Sequence, residues 1–453
     1  MYRKKTYKKI LAILACMASA FPCNSQTWSS VGGGTNSAVP AMEIYQNKLV
    51  VTGGDTFGSI PIYAIASWDG YQWDSLGGNT ISLSGGPETY GVYNNELYAG
   101  GNFWVNGVSN TYHIARWNGV NWYSCTNNTD NVGQFDKMIS YNSNLFIAGD
   151  ITKINGVSVN RIAKWNGSTW SGVSGGVTGG FMTKVYSMVT LNNKLYVAGD
   201  FTFAGGTGAF NIASWDGTQW SALDTGVNEY ASAITADTVN NIIYVAGAFN
   251  IVGGTNGINV NYIAGWNGNN WFNLGQGLSG GIYCMTMYHG ELYVGGSMII
   301  VGSDSATIYI AKWNGSQWSK VLGPNNTVFT MQVYNDTLYV GGLFSSPGNN
   351  IARYYDTLTT VTEEKKTEQE YLCNNIPNPF GTTTVIPYYI PPGSKGIMTI
   401  SDIEGKPIKT YILTENNNNL EVSLTGFKNG VYFYTLNIDD GRIIRHKKMI
   451  LNW

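Results

Sequence analysis

A unit of 41 to 51 residues recurs seven times along this chain of 453 residues, and this repeat restricts the fold more than any other feature. Each unit contains the dipeptide Ile-Ala, preceded by an alternating segment that ends in small residues, such as KLYVAG or ELYVGG. A second alternating segment lies before that one, across a short polar turn such as NN, HG or ND. Self-similarity at this period is typical of folds built by repeating one supersecondary unit. The dipeptides begin at Ile65, Ile114, Ile162, Ile212, Ile263, Ile310 and Ile351.

Six units continue with two tryptophans that flank Asn-Gly or Asp-Gly, as in KWNGSTW and SWDGTQW. These dipeptides tolerate positive φ at both central positions of a type I′ turn, so each copy predicts a β-hairpin. With the turn at that pair, Trp117 and Trp122 become diagonal neighbours on one face of the hairpin and their rings touch. We therefore expect the tryptophans to hold strands together rather than to carry chemistry.

Each unit thus contains four antiparallel strands. Seven such units predict an all-β fold, a seven-bladed β-propeller in which radial repetition leaves only short sheet edges. A stacked β-solenoid is the rival architecture, but it requires shorter parallel coils, whereas these strands are joined by tight hairpins. The aromatic residues that recur with the repeat are expected in the core: Phe57, Phe103, Phe201, Phe249 and Phe344.

One end of the array of units lacks a strand, and the other end has one strand too many. The seventh unit, NNIARYYDTLTTV, lacks the second tryptophan strand, while TWSSVGGG near the N-terminus has Trp28 without a preceding WNG. The strand of Trp28 is therefore predicted to become the outer strand of the Ile351 blade and to close a propeller that comprises residues 26–358.

The Gly-Gly doublet with a following aromatic residue and tryptophan, as in YVGG…WNGSQW, resembles the kelch-type propeller. Kelch repeats usually have a longer turn between their aromatic residue and their tryptophan. The units are more similar to the WNG-type repeat propellers of bacterial surface proteins. This resemblance implies a fold but no shared activity.

The first 25 residues have the order of a secretory signal peptide, in which Arg3, Lys4 and Lys5 precede the apolar run ILAILACMASAF. Cleavage before Gln26 is expected, with cleavage after Ala20 as the alternative. A lipid anchor at Cys16 is disfavoured, because Leu14 stands where lipoproteins prefer a smaller residue. No later stretch is long and apolar enough for a transmembrane segment. Cleavage leaves three scattered cysteines, which predict neither a disulfide framework nor a thiolate metal site: Cys125, Cys284 and Cys373.

After Leu358 the polar stretch TTVTEEKKTEQE predicts a linker over residues 359–372, and residues 373–453 alternate as strands of a small Ig-like β-sandwich. With its NPF opening, DIEGKPI hairpin, NGVYFY strand and KKMI ending, this tail resembles the type A C-terminal sorting domain of Bacteroidota proteins exported by type IX secretion. The resemblance implies that the secretion machinery is a partner and that the tail is an address, usually cut off at the surface. The expected location is secreted or on the outer-membrane surface, reached by Sec export and type IX secretion.

Charge and histidine content exclude several classes of function. Charged residues make up 12% of the chain, its net charge is −2, and no basic cluster lies outside the two ends, so nucleic acid is not an expected partner. The three histidines do not form a set: His289 lies in a turn, His446 in the tail and His113 on a strand. SWDGYQW is a near-miss of the sialidase Asp box, which is itself structural. No metal site, cofactor or catalytic residue is predicted.

Two classes of function remain. A surface-displayed binding or adhesion module, with a glycan or protein ligand, is favoured over an enzyme. The alternative is a propeller-type glycoside hydrolase or another secreted carbohydrate-active enzyme, which needs paired carboxylates. Asp150, Asp200 and Glu229 are available for that chemistry, but no spacing selects them.

The ligand site is expected on one face of the propeller. Connections from the second to the third strand and from the fourth strand to the next unit are long and varied, and they emerge at the same face, where loops carry binding groups on a rigid scaffold. Aromatic residues there are candidates for stacking, and Asp150 and Asp200 are candidates for bonding sugar hydroxyls or a cation. The stacking candidates are Trp104, Tyr90, Phe135 and Tyr230.

Overall fold

The structure is a computed structural model in which the chain divides at Leu358 into two compact units. The predicted signal peptide, nearly all of the predicted linker 359–372 and Cys373 lie outside the described residues. The described residues form antiparallel β-structure without an α-helix. They are residues 27–77, 81–82, 86–126, 133–254, 257–302, 307–355, 372, 375, 377–390, 394–403, 405–413, 419–438 and 443–452.

The described part of the first unit contains seven four-stranded antiparallel sheets. They are numbered here along the chain, and in each one the order of strands in the sheet follows the order in the unit. The first sheet contains Met42–Tyr45, Lys48–Thr52, Ile65–Trp68 and Trp73–Ser75; the second contains Pro87–Tyr93, Glu96–Gly101, Ile114–Trp117 and Trp122–Ser124; and the third contains Phe135–Tyr141, Asn144–Gly149, Ile162–Trp165 and Trp170–Gly172. The fourth contains Lys184–Leu191, Lys194–Asp200, Ile212–Trp215 and Trp220–Ala222, and the fifth contains Ala231–Asp237, Ile242–Gly247, Ile263–Trp266 and Trp271–Asn273. The sixth contains Leu278–Tyr288, Glu291–Val301, Ile308–Trp313 and Trp318–Lys320, and the seventh contains Val328–Tyr334, Thr337–Gly342, Ile351–Tyr355 and Thr27–Ser30.

Short strands lie in the connections between the second and third strands of a sheet and in the connections that lead to the next sheet. Most of them pair as hairpins within one connection, and others join two connections. These strands are Thr56–Phe57, Ile60–Pro61, Ile81–Ser82, Trp104–Val105, Lys153–Ile154, Val157–Ser158, Val177–Thr178, Phe203–Ala204, Thr207–Gly208, Ile251–Val252 and Ile258–Asn259.

The first strands of the seven sheets contact one another in a closed order, from the first sheet to the seventh and back to the first. The apolar core lies between neighbouring sheets: one cluster joins Leu49 and Trp68 of the first sheet to Tyr334 and Ile351 of the seventh. The recurring aromatic residues lie in these clusters, so the core prediction for them is confirmed. Their exposed fractions are at most 3%: Phe57, Phe103, Phe201, Phe249 and Phe344.

The N-terminal strand completes the seventh sheet. Trp28 pairs with Tyr354 in an antiparallel register, and their ring centroids are 4.8 Å apart. This is the pairing predicted from the surplus strand of Trp28. The Trp28 indole also donates a hydrogen bond to the carbonyl of Leu322. Two ends of the chain segment 27–355 therefore meet in one sheet.

Tyrosines at the ends of five first strands link neighbouring sheets. Tyr334 of the seventh sheet donates its hydroxyl to the carbonyl of Asn47 in the first sheet at 2.8 Å. That carbonyl belongs to a turn in which Gln46 and Asn47 both have positive φ, as a type I′ hairpin requires. The same bond joins Tyr45 to Asn95, Tyr93 to Ser143, Tyr141 to Asn193 and Tyr288 to Asp336.

The tryptophan hairpins differ from the prediction. Trp117 and Trp122 are directly opposite each other rather than diagonal, and a four-residue turn joins them. The Asn118 side-chain oxygen accepts the backbone N–H groups of Val120 and Asn121 at 2.9 and 2.8 Å. The type I′ prediction for this dipeptide is wrong because Asn118 acts through its side chain, and only Gly119 has positive φ.

This turn explains the exchange of Asn and Asp among the copies, since a carboxylate oxygen accepts the same two bonds in Asp69 and Asp216. The paired tryptophan rings are in contact, with centroids between 5.0 and 5.5 Å apart. In five of the six copies the second tryptophan also donates its indole N–H to a carbonyl of the preceding sheet, so it holds two sheets together. Such bonds join Trp122 to Leu76, Trp170 to Cys125, Trp220 to Val173, Trp271 to Leu223 and Trp318 to Leu274.

The second unit has two antiparallel sheets that share one apolar core, which includes Phe380, Met398, Tyr434 and Leu451. Strand Thr383–Pro387 pairs with Asn419–Ser423. In the other sheet the order along the sheet is Pro407–Leu413, Gly396–Ser401, Gly430–Ile438 and Ile443–Leu451.

Candidate functional site

A cleft of about 960 Å³ opens on the face that carries the longer connections of the first unit. Its lining comes from the first strands of several sheets, from the connections that enter and leave the fourth sheet, and from the connection between the second and third strands of that sheet. We call it the aromatic cleft, because Phe181, Tyr186, Phe210, Tyr230 and Tyr283 line it. The other lining residues are Asp136, Met182, Asp200, Thr202, Asn211, Asn228, Glu229 and Ser232.

The connection before the fourth sheet projects Phe181 and Met182 into solvent, with exposed fractions of 99% and 63%. Asp200 holds this segment: its two carboxylate oxygens accept the backbone N–H groups of Phe181 at 3.3 Å and Met182 at 2.7 Å. Gly180 has a φ of +102°, and a Cβ there would lie 2.5 Å from Asp200 Oδ1. The sequence therefore needs glycine at this position to bring the loop against Asp200.

Aromatic rings form the sides of the cleft. Tyr186 and Tyr230 are tilted by 56°, with centroids 6.0 Å apart. Tyr230, Phe210 and Tyr283 are 45%, 48% and 47% exposed, so each offers ring surface to a ligand. Tyr283 in turn lies 5.9 Å from the ring of Phe329.

The cleft adjoins a cavity of about 160 Å³ that all seven sheets line at or next to their first strands. Asp136, Tyr186, Ser232 and Tyr283 line both spaces. Lys184 Nζ lies 3.0 Å from Asp136 Oδ1. Burial raises the pKa of Asp136 to about 7, and the charge of Lys184 partly opposes that rise.

Glu88 precedes Asp136 around this cavity. Its negative charge also raises the pKa of Asp136. Glu88 Oε2 and Asp136 Oδ2 are buried, and neither has a hydrogen-bond partner among the described residues. The mouth of the cavity therefore contains two neighbouring carboxyl groups, of which Asp136 changes its charge near neutral pH.

Two of the predicted stacking residues belong to the core. Tyr90 is 2% exposed and its hydroxyl lies 2.6 Å from Thr52 Oγ1, while Phe135 is fully buried. The expectation that they offer ring surface to a ligand is wrong. Both lie on first strands, where the face that points between sheets is filled with apolar side chains.

The other predicted residues are divided between the cleft and its surroundings. Tyr230 and Asp200 line the cleft. Asp150 is half-exposed and forms an ion pair with Arg161 at 2.9 Å, close enough to Asp136 to raise the pKa of that carboxyl. Trp104 lies elsewhere, stacked on the ring of Tyr112 at a centroid distance of 5.6 Å.

The remaining titratable groups form no further centre. His113 is not on a strand as predicted: it directly precedes Ile114–Trp117 with a φ of +66°, and its Nδ1 lies 3.2 Å from the carbonyl oxygen of Gly101. Burial raises the pKa of the Cys125 thiol to about 12 and that of Cys284 further. Within the described part of the chain, no three His, Cys, Asp or Glu side chains are grouped so that they could hold a metal ion.

A second pocket, of about 500 Å³, lies where the first and seventh sheets meet. Amide side chains line it, but they bond the loops that form it: Asn325 Oδ1 accepts the N–H groups of Ser345 and Ser346, and Asn36 Oδ1 accepts those of Asp55 and Thr56. These amide oxygens therefore hold the individual loops that form the pocket.

Sequence reasoning missed Asp136, Glu88, Phe181, Phe210 and Tyr283. A usable signal existed for the residues on first strands. Each lies five positions before the end of its strand, and an alignment of the seven copies at that position isolates the acids and aromatic residues. That position is occupied in turn by Pro40, Glu88, Asp136, Tyr186, Ser232, Tyr283 and Phe329.

The tail gives the clearest likeness to known proteins. The family of secretion system C-terminal sorting domains matches residues 375–452. The protein is exported by type IX secretion. It is therefore directed to the cell surface. Its described residues include no helix with the length and hydropathy that a membrane crossing requires.

Comparisons of the whole chain are weaker. PorZ, described as an essential bacterial surface component of the type-IX secretion system of Porphyromonas gingivalis, is similar with a TM-score of 0.44 and 14% identity over 93% of this chain and 60% of PorZ. A protein of unknown function from Bacteroides thetaiotaomicron is similar with a TM-score of 0.31 and 11% identity over 70% of this chain and 98% of that one. This chain spans less than two thirds of PorZ. No curated protein matches its sequence.

Proposed function

We propose that this protein is a seven-bladed β-propeller of the WNG type that type IX secretion displays at the cell surface, where the aromatic cleft binds a glycan or protein ligand. In this proposal the propeller comprises residues 26–358 and the tail is an Ig-like sandwich. The closed order of first-strand contacts supports the propeller. So do the Trp28 strand in the seventh sheet and the bond from Tyr334 to Asn47.

The exposure of aromatic side chains around a large cleft carries the binding proposal. Contiguous exposed apolar surface on a soluble domain marks an interaction site in most cases. Phe181 is 99% exposed although two backbone hydrogen bonds to Asp200 hold its loop in place. A fixed loop that presents a bare aromatic ring loses little entropy when it binds, which favours a recognition role.

An array of glycans, mucins and surface proteins, probed with the mature chain, tests this proposal. The double variant Phe181→Ala, Phe210→Ala removes two walls of the cleft without touching its buried groups, so binding should fall at least tenfold. The matched control is Tyr71→Ala, since Tyr71 is 91% exposed in a tryptophan turn outside the cleft. Equal binding by the parent and the double variant would show that the ligand site lies elsewhere.

Asp136 and Glu88 favour the glycoside hydrolase as a second candidate. A carboxyl group whose pKa lies near neutrality suits a general acid, and a neighbouring carboxylate is the partner that glycoside hydrolysis requires. The array ligands should also be assayed for release of reducing sugar, with the parent and Asp136→Asn. Release by the parent that Asp136→Asn abolishes would establish the enzyme, and no release from any bound glycan would favour the binding module.

A further inference from the structure

The charge of the aromatic cleft restricts its ligand, provided that the proposed function is correct. Every charged side chain that lines it, within the part of the chain that the structure describes, is acidic: Asp136, Asp200 and Glu229. Aromatic rings attract cations through the negative potential of their faces. Rings and carboxylates in one cleft thus favour the same kind of ligand group.

At the edge of the cleft, a lysine of this chain already lies close to both a carboxylate and an aromatic ring. The Lys184 ammonium lies 3.0 Å from Asp136 Oδ1 and 2.8 Å from Gln134 Oε1. It also lies 5.3 Å from the ring centroid of Tyr186. Lys184 offsets the charge of Asp136, so Asp200 and Glu229 supply the remaining negative charge of the cleft.

We infer that the aromatic cleft binds a protein segment through its lysine or arginine side chains. The cationic groups lie against Tyr230 and Glu229, while Phe181 and Met182 cover the apolar stems. A volume of about 960 Å³ accommodates several residues of an extended chain. A neutral sugar gains only hydrogen bonds to these carboxylates, a cation gains their charge as well, and an anionic polymer is repelled by them.

Fluorescence anisotropy with the mature chain tests the inference. The probe is a labelled glycine–lysine repeat peptide, compared with the same peptide acetylated on every lysine. The lysine peptide should bind at least tenfold more tightly than the acetylated one, and its affinity should fall as salt screens the carboxylates. Equal binding of the two peptides overturns the inference.

Matched variants locate the effect. Glu229→Gln should weaken binding of the lysine peptide about threefold to fivefold, as expected for one exposed ion pair, and Tyr230→Ala should weaken it about fivefold or more. Asp55→Asn changes an exposed carboxylate outside the cleft and Tyr71→Ala an exposed ring, so both should bind as the parent does. Loss of affinity in the controls equal to that in the cleft variants contradicts the inference.

The two sets of variants distinguish a failure of this inference from a failure of the proposed binding function. If the double variant Phe181→Ala, Phe210→Ala loses its array ligand while Glu229→Gln binds the lysine peptide as the parent does, the inference is wrong and the binding function stands. If no cleft variant changes binding to either the array or the peptide, both are wrong.

Discussion

Replacing Trp28 by alanine should destabilise the first unit by about 2–3 kcal/mol. Tryptophan-to-alanine changes in a core cost about 3–5 kcal/mol, and about half of that applies to the partly buried Trp28. Loss of the solvent-exposed indole hydrogen bond to Leu322 adds about 0.5 kcal/mol. The unfolding entropy of roughly 330 residues is about 0.7 kcal/mol per kelvin, so the melting temperature should fall by about 3–4 °C.

Near-ultraviolet circular dichroism of the mature chain measures this change selectively, because every tryptophan except Trp453 belongs to the first unit. Tyr71→Ala is the control and should shift the free energy of unfolding by no more than about 0.5 kcal/mol. Deletion of residues 26–34 should lower the melting temperature further, since it leaves the edge of Ile351–Tyr355 unpaired. If Trp28→Ala melts with the parent, the N-terminal strand does not contribute to the stability of the seventh sheet.

Two further predictions follow from single contacts, and a third from the sorting tail. Tyr334→Phe removes the hydroxyl bond to Asn47 and should lower the free energy of unfolding by about 1 kcal/mol in urea titrations; an unchanged midpoint contradicts this link between the first and seventh sheets. Hydrogen bonds from the backbone of Gln219 and from Thr218 lower the pKa of Asp216 to about 2. The stability that its ionised form contributes is therefore present above the usual pKa of 3.8 and is lost as pH falls towards about 2. Asp216→Asn should lack this pH dependence. Parallel curves of the free energy of unfolding against pH for the two proteins would refute it. Mass spectrometry of washed cells should find no peptides from residue 376 onward if the tail is cut off at the surface, whereas abundant tail peptides would mean that it is retained.

Local pattern was sufficient for the repeat and its strands. Alternation, small-residue pairs and the surplus Trp28 strand predicted four strands in each unit and the place of the Trp28 strand beside the Ile351 strand. The prediction of the turn type was wrong at Asn118. Positive φ was expected at both residues of the Asn-Gly dipeptide, but the Asn118 side chain accepts the backbone N–H groups of the turn instead. Both geometries use the same dipeptide, so composition alone does not distinguish them.

The site was only partly predictable for a different reason. The choice of face depended on connection length, and two residues predicted there, Tyr230 and Asp200, line the cleft, while their role in binding stays a prediction. The prediction of exposed rings at Tyr90 and Phe135 was wrong because both side chains are buried against apolar side chains in the core. The local sequence does not show which face of a first strand is covered by the neighbouring sheet. Asp136 and Tyr283 meet around a cavity that exists only when all seven sheets are assembled.

Hydrogen exchange of the mature chain, with and without its strongest array ligand, shows whether the aromatic cleft is the binding site. We expect slower exchange in the segments that line the aromatic cleft, around Phe181, Phe210 and Tyr230. Exchange in the turns around Asn47 and Asn95, where the tyrosine links lie, should be unchanged. Protection of those turns, or of the pocket around Asn325, without protection of the cleft would contradict the account.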